Sequence, residues 1–265
     1  HLLPQSKSNK QQSMNNAMFL KLVSQSSRWW ILMLSSGMVI YIVFQWTQSP
    51  SCRFSFGKYT GHQYKSSETR GSTCLVESKW MRLQKHKVQL AGQSNFISDW
   101  LWIDYHDRIN VLVEAPRTSS GDERQFYILE QTKYALEDRK SVAIVGGIIE
   151  PGEDPTVAAS REVEEELNVS CEDMIFLGRF RTDVNRGMGW VNSFLALQCR
   201  PVTSQESSND KSQVGAADLE RQDLKVITLT KLIDLARKGE FLEVQWSNTV
   251  ALALLHPKLN VMNSN

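Results

Sequence analysis

The sequence predicts an α+β fold, a mixed β-sheet sandwiched between helices, across residues 75–257. Three observations predict it. Short apolar or alternating runs separated by turn residues recur along the first half of this region. A Gly turn then leads into one helix bearing four carboxylates in the five residues Glu162–Glu166. Two further helical patterns close the chain, one ending before Gly239 and one stopped by Pro257.

Taken in order, Trp100–Tyr105 alternates, His106-Asp-Arg is a turn, and Ile109–Val113 is a short apolar strand. Residues 118–124 are a polar loop, and Phe126–Glu130 is the next strand. Val142–Ile149 is one continuous apolar run entering the carboxylate segment through Gly146-Gly147. Asp154 is the expected N-cap of a helix from Pro155 to Leu167, proline being tolerated at a first helical position. Ala159, Val163 and Leu167 form its apolar stripe. Ile175–Phe180 and Val191–Leu197 read as strands around the Gly-rich turn Arg186-Gly-Met-Gly. A low-complexity loop at residues 203–217 precedes a strand over Leu224–Leu229. Thr230 is the expected cap of the following helix, and Ser247–His256 is the last one.

The balance of 30 basic and 29 acidic residues hides an asymmetry. His1–Ser67 contains no Asp or Glu and seven Lys or Arg. Within it, Trp29–Trp46 is an uncharged run of 18 residues, near the lower length limit for crossing a bilayer and bounded by tryptophans. The preferred reading is a single amino-terminal hydrophobic helix anchoring the chain in an endomembrane or organellar membrane. A cleaved signal peptide ranks second and an organellar transit segment third. Lys10, Lys21 and Arg28 before the run are nearly balanced by Arg53, Lys58 and Lys65 after it, so orientation stays open. The organisation is then a basic segment (1–28), the hydrophobic run (29–46), a linker rich in Ser, Thr, Gly and Lys (47–74), the catalytic domain (75–257) and a tail (258–265). Cys52, Cys74, Cys171 and Cys199 are too few and too scattered to predict a disulfide framework or a zinc site. No nucleic-acid partner is expected from a formal net charge of +1.

The carboxylate helix carries the chemistry. Glu162, Glu165 and Glu166 project from one face at i, i+3, i+4 spacing, which costs an isolated helix a few tenths of a kcal/mol per like-charge pair. A hard divalent cation with oxygen ligands would reverse that sign. Most Glu-rich runs are merely solvated faces. Here, however, Glu153 follows Gly147 by six residues, Arg161 follows Glu153 by eight, and Glu162 comes next. This resembles the Nudix hydrolase motif at every defined position except one, where Asn168 replaces the second Gly. That position needs a residue tolerant of positive φ, and Asn is the nearest substitute.

The resemblance implies a reaction in which water attacks a diphosphate joined to another moiety. It also implies Mg²⁺, with Mn²⁺ as an alternative, held by Glu162, Glu165, Glu166 and the Gly146 carbonyl. Glu153 and Arg161 resemble the family's structural ion pair. Weaker flanking likenesses point to the ADP-sugar pyrophosphatases: Lys79-Trp-Met-Arg-Leu-Gln-Lys85, Gln131-Thr-Lys133, and Gly239-Glu240 followed by Ala251–Leu255. In that subgroup two tryptophans sandwich adenine across a homodimer. Trp80 matches the first, and Trp100 is the nearest candidate for the second. Trp102 is read as an ordinary strand residue. Lys133, Arg181, Arg186 and Glu220 complete the expected substrate contacts, with Arg179 beside them. Two departures weaken the subgroup match: no Pro occurs in Asp183–Trp190, and Ala143 stands where an acidic residue is usual. A dinucleotide or coenzyme A substrate, and a binding module without turnover, are the competing readings.

Overall fold

In the computed structural model, residues 52–117, 123–202 and 222–259 are described. Fourteen elements carry the architecture: β1 (Phe54–Ser55), β2 (Thr69–Glu77), β3 (Met81–Val88), β4 (Ile97–Tyr105), β5 (Arg108–Val113), β6 (Gln125–Thr132), β7 (Lys140–Ala143), β8 (Val145–Ile148), α1 (Pro155–Leu167), β9 (Val169–Asp183), β10 (Gly187–Pro201), β11 (Gln222–Thr228), α2 (Leu229–Arg237) and α3 (Val244–Leu255). The main sheet runs β1-β2-β3-β4-β10-β5-β8, with β9 on the free edge of β10. A second sheet runs β11-β6-β7.

β5 explains why the layers stack as they do. Its residues Ile109–Val113 are apolar except Asn110 and buried on both faces, as a strand parallel to its neighbour β10 must be. Ile109, Val111 and Val113 pack with Val145, Phe194 and the α1 stripe Ala159, Val163 and Leu167. On the opposite face Leu112, Leu195 and Leu197 meet Phe126 and Ile128 of the second sheet and Trp246, Val250 and Ala253 of α3. The expected mixed sheet between helices is therefore present, with a small second sheet added to the α3 side.

α1 spans Pro155–Leu167, as its sequence predicts. Asp154 caps it by accepting a hydrogen bond from the Thr156 N–H at 2.8 Å, and Asn168 ends it at φ 52°, ψ 40°. The motif's missing glycine is thus replaced by a residue that adopts the required left-handed conformation.

Several expectations are corrected. Val142–Ile149 is not one strand: it pairs with β6 through Ala143, turns at buried Ile144, and pairs with β5 from Val145. Its uninterrupted apolar character comes from lying between two layers rather than within one. The β9–β10 hairpin spans 15 residues on each side, far longer than the short strands read from the sequence. The cap of α2 is Thr228, whose hydroxyl accepts from the Lys231 N–H, and not Thr230. Residues 52–74, read as linker, carry β1 and part of β2 and bury Tyr59.

The cysteines are corrected too. Cys52 pairs with Cys74 and Cys171 with Cys199, closing separations of 22 and 28 residues. The chain-entropy model assigns loops of that size about 3–4 kcal/mol each. Spacing could not show this, because each pair is made by strand register: Cys171 lies directly opposite Cys199 in the hairpin. The hydrophobic run 29–46, the loop at 203–217 and Glu220 lie outside the described residues. Among the described residues no helix is long and apolar enough to cross a membrane.

At the far end of β5, buried Glu114 collects Arg117 (2.7 Å), Arg124 (2.7 Å) and the Gln198 N–H (3.3 Å). Burial pushes its carboxyl up, but the two guanidinium bonds outweigh that and hold it below the ordinary value of 4.5. The stabilisation is fully present above that value and is lost as pH falls through the lower folded one. We therefore expect Glu114→Gln to lower unfolding stability by about 1.5–3 kcal/mol at neutral pH. Urea titrations of both proteins should show this difference shrinking in acid.

Candidate functional site

One arginine organises the carboxylates. Arg161 donates to both oxygens of Glu153, from Nε at 2.9 Å and from Nη2 at 3.1 Å, and Nη2 also reaches the Ile148 carbonyl at 3.2 Å. Its Nη1 donates to Glu162 at 2.8 Å and to Glu165 at 3.2 Å. Glu153 in turn accepts the Glu150 N–H at 2.9 Å, closing the loop between β8 and α1. Bidentate guanidinium–carboxylate geometry of this kind fixes orientation as well as charge. Burial pushes the Glu153 carboxyl up, yet the Arg161 and Glu150 bonds hold it below its usual value. Burial instead prevails at Glu162, raising its carboxyl above 4.5 against the pull of Arg161, with the Glu165 and Glu153 charges adding to the rise. The Glu153 hydrogen bond is the largest influence raising Arg161 itself.

The two glycines of β8 face opposite ways. A Cβ at Gly147 would lie 2.0 Å from Cδ of Glu162, so that carboxylate rests directly on the strand backbone. A Cβ at Gly146 would instead point at Oδ1 of Asn110, 3.0 Å away. Behind this pair, on the α3 side, Arg108 approaches Glu243 at 3.7 Å. Burial pushes the Glu243 carboxyl up despite the opposing charges of Arg108 and Lys133. Lys133, expected at the substrate, therefore stands close enough to act on Glu243.

The donor types suit a hard cation: three carboxylates share one helical face, and Glu162 rests on Gly147. Glu165 and Glu166 are exposed, whereas the Glu162 side chain is only 14% exposed. As the side chains stand, no group of three or more His, Cys, Asp or Glu among the described residues is gathered closely enough to hold a metal. Glu162 and Glu165 are both turned toward Arg161.

The expected nucleotide contacts fare unevenly. Trp80 is 38% exposed under the Lys79 ammonium, 4.4 Å from its ring. Trp100 lies opposite His86, whereas Trp80 precedes Met81, which lies opposite Tyr105. The hairpin register therefore separates the two tryptophans by roughly 15–20 Å at ~3.3 Å per residue, and they do not form a pair within one chain. Trp100 donates instead to the Asn185 carbonyl at 2.7 Å. Arg186 is exposed at the hairpin turn. Arg181 is not a free clamp, because it is held in a ladder. Its guanidinium lies 4.1 Å from the Trp190 ring and 5.5 Å from the Trp102 ring, and Trp102 stacks on Tyr64 at 4.7 Å.

Trp102 is thus more than a strand residue: it lies against Gly187 and its indole donates to buried Asp104 at 2.9 Å. Trp190 and Asp107 hold Arg179, and sequence reasoning missed both. Gly147, Ile109, Asn192 and Arg179 are successive register partners across β8, β5, β10 and β9. Arg179 consequently shares the α1 face of the sheet, about three strand spacings or ~14 Å from Gly147. It stacks 4.6 Å from Trp190, is fixed by Asp107 at 2.7 Å, and remains 50% exposed. The aromatic at the end of Gly-Met-Gly-Trp190, set in a hairpin beside two arginines, was the available signal.

A sequence model of the NUDIX domain matches residues 104–245. This chain belongs to the Nudix family. A methanol dehydrogenase activator of Bacillus methanolicus is 43% identical over 117 residues, covering 44% of this chain. The Nudix chain spans 58% of that relative's length. The crystal structure of an ADP compounds hydrolase superposes with a TM-score of 0.53 at 15% identity, over 72% of this chain and 94% of that one. At that identity the likeness speaks for the Nudix fold.

The opposed glycines generate a test. Gly147→Ala must displace Glu162 from the strand it rests on, whereas Gly146→Ala needs only a small shift of the Asn110 amide. Urea unfolding should show Gly147→Ala costing about 1–3 kcal/mol, with a clearly smaller loss for Gly146→Ala. Equal losses would remove the Glu162–Gly147 contact from the account.

Proposed function

We propose that this chain hydrolyses a nucleoside diphosphate linked to a second moiety, ADP-ribose or another ADP-sugar before others, with Mg²⁺ as the cofactor. The observation that carries the proposal is the Arg161 network. It locks the β8–α1 loop while leaving Glu165 and Glu166 at the exposed end of a carboxylate face. Glu162, Glu165, Glu166 and the Gly146 carbonyl would hold the cation. When bound, it would neutralise charge developing on the phosphates and lower the pKa of a coordinated water. Arg161 would share its guanidinium between Glu153 and the cation ligands, keeping the helix face oriented. Arg179, on the same sheet face, would meet a phosphate or the far end of the substrate, and Trp190 beneath it would support a base. Trp80 is solvent-accessible enough to stack on adenine, but only alone or with a residue from a second chain.

The chemistry of the relatives supports this reading in outline: the solved neighbour is named for hydrolysis of ADP compounds. The B. methanolicus relative is named for activating methanol dehydrogenase. Dinucleotides, the alternative substrate, belong in the same screen.

Turnover of ADP-ribose, other ADP-sugars and dinucleotides in Mg²⁺ should rank the substrates. Glu165→Gln and Glu166→Gln are each expected to lower the rate by at least about 100-fold with unchanged circular dichroism, because each removes a charged ligand of the cation that neutralises the reacting phosphates. Near-normal rates in both variants would refute the ligand assignment. Trp80→Ala should raise KM more than it lowers kcat on an adenine substrate if the ring only holds the base. An unchanged KM would take Trp80 out of the site.

A further inference from the structure

We propose that the catalytic domain resides on the oxidising, extracytoplasmic side of a membrane and carries an N-linked glycan on Asn168. Two independent features point there. First, all four cysteines of the chain are consumed in two disulfides, and no described cysteine is free. Disulfides persist in secretory and extracellular compartments and are reduced in the cytosol. The pairs lie in different parts of the domain. Cys52–Cys74 ties the start of the domain to β2, and Cys171–Cys199 bridges the β9–β10 hairpin.

Second, Asn168-Val169-Ser170 is the single Asn-x-Ser/Thr in the 265 residues, with valine rather than proline in the middle. That is the acceptor pattern for N-glycosylation, which needs a surface asparagine with room for a bulky sugar. Asn168 satisfies the requirement. It is exposed, at the left-handed turn that ends α1. Its backbone N–H bonds the Glu164 carbonyl at 2.9 Å, and its own carbonyl accepts the Val202 N–H at 3.0 Å. Those bonds engage the main chain, and among the described residues the side-chain amide makes none. The departure at this motif position thus does two things at once: Asn keeps the left-handed turn that the glycine would have supplied, and it offers an acceptor that glycine could not.

The proposal carries an orientation that the charge balance around Trp29–Trp46 leaves open. Cys52 follows Trp46 by six residues. If that run spans the bilayer, a disulfide at Cys52 places the carboxyl-terminal side in the oxidising compartment and the basic segment 1–28 in the cytosol. The nucleotide diphosphates available to the enzyme are then those of a lumenal or extracellular pool.

The test uses the full chain translated in the presence of rough microsomes. Expected is a species resistant to added protease over the domain and shifted in mobility by one glycan that endoglycosidase removes. None of its cysteines should react with a maleimide until reductant is added. Ser170→Ala should abolish the shift and Ser170→Thr should keep it, neither variant altering the left-handed residue itself. A domain digested by protease, unshifted and with reactive thiols, overturns the proposal. Protection and oxidised cysteines without carbohydrate overturn the glycan. A shift that survives Ser170→Ala overturns Asn168 as its acceptor.

Discussion

The site depends on the sharing of one guanidinium among three carboxylates. Arg161 touches Glu153, Glu162 and Glu165 and also caps the last carbonyl of β8. Without it the acidic face of α1 would be self-repelling and the loop before the helix unsupported. With it, two of those carboxylates, at 13% and 14% side-chain exposure, are brought beneath the surface and held in fixed directions. Burial of a charge is tolerated only when its partners are well placed, and here a bidentate bond, a single bond and a backbone amide provide them. At Glu162 burial outweighs the Arg161 bond and raises the carboxyl, with the Glu165 and Glu153 charges adding to the rise.

Much of this was legible in the sequence because it is local. The α1 limits and its N-cap follow from spacings within some twenty residues, and the left-handed Asn168 and the Glu153–Arg161 pair from the motif resemblance in the same stretch. The strand β5 was readable from its short apolar run, interrupted only by Asn110. What escaped the reading depends on pairing between distant strands. Cys171 meets Cys199, and Arg179 meets the row that begins at Gly147, only because β9, β10, β5 and β8 lie side by side in one particular register. Nothing in composition fixes that register.

Trp102 shows the same limit from the other side. Strand alternation places it correctly but says nothing of Tyr64, which arrives from a segment whose Ser, Thr and Lys content reads as linker. In the fold that segment is bound by the Cys52–Cys74 bridge, buried Tyr59 and the Tyr64 N–H bond to Asp104 at 3.0 Å. The aromatic–arginine ladder then runs from Tyr64 through Trp102 and Arg181 to Trp190 and Arg179. Stacked rings and guanidinium planes of this kind are worth roughly 0.5–2 kcal/mol per contact, the larger values where water is excluded. The ladder therefore stiffens the very hairpin that presents Arg179.

The passage of the chain from the second sheet to the main one at Ile144 has a mechanical meaning. Ala143 belongs to one layer and Val145 to the other, so the Gly146–Gly147 pair hangs two or three residues from a seam between them. Any sliding of the α3 layer against the central strands would tug on the backbone that receives Glu162. Packing around Trp246 and Val250 on the reverse face is thereby enlisted in keeping that backbone in position, from the opposite side of the sheet to α1.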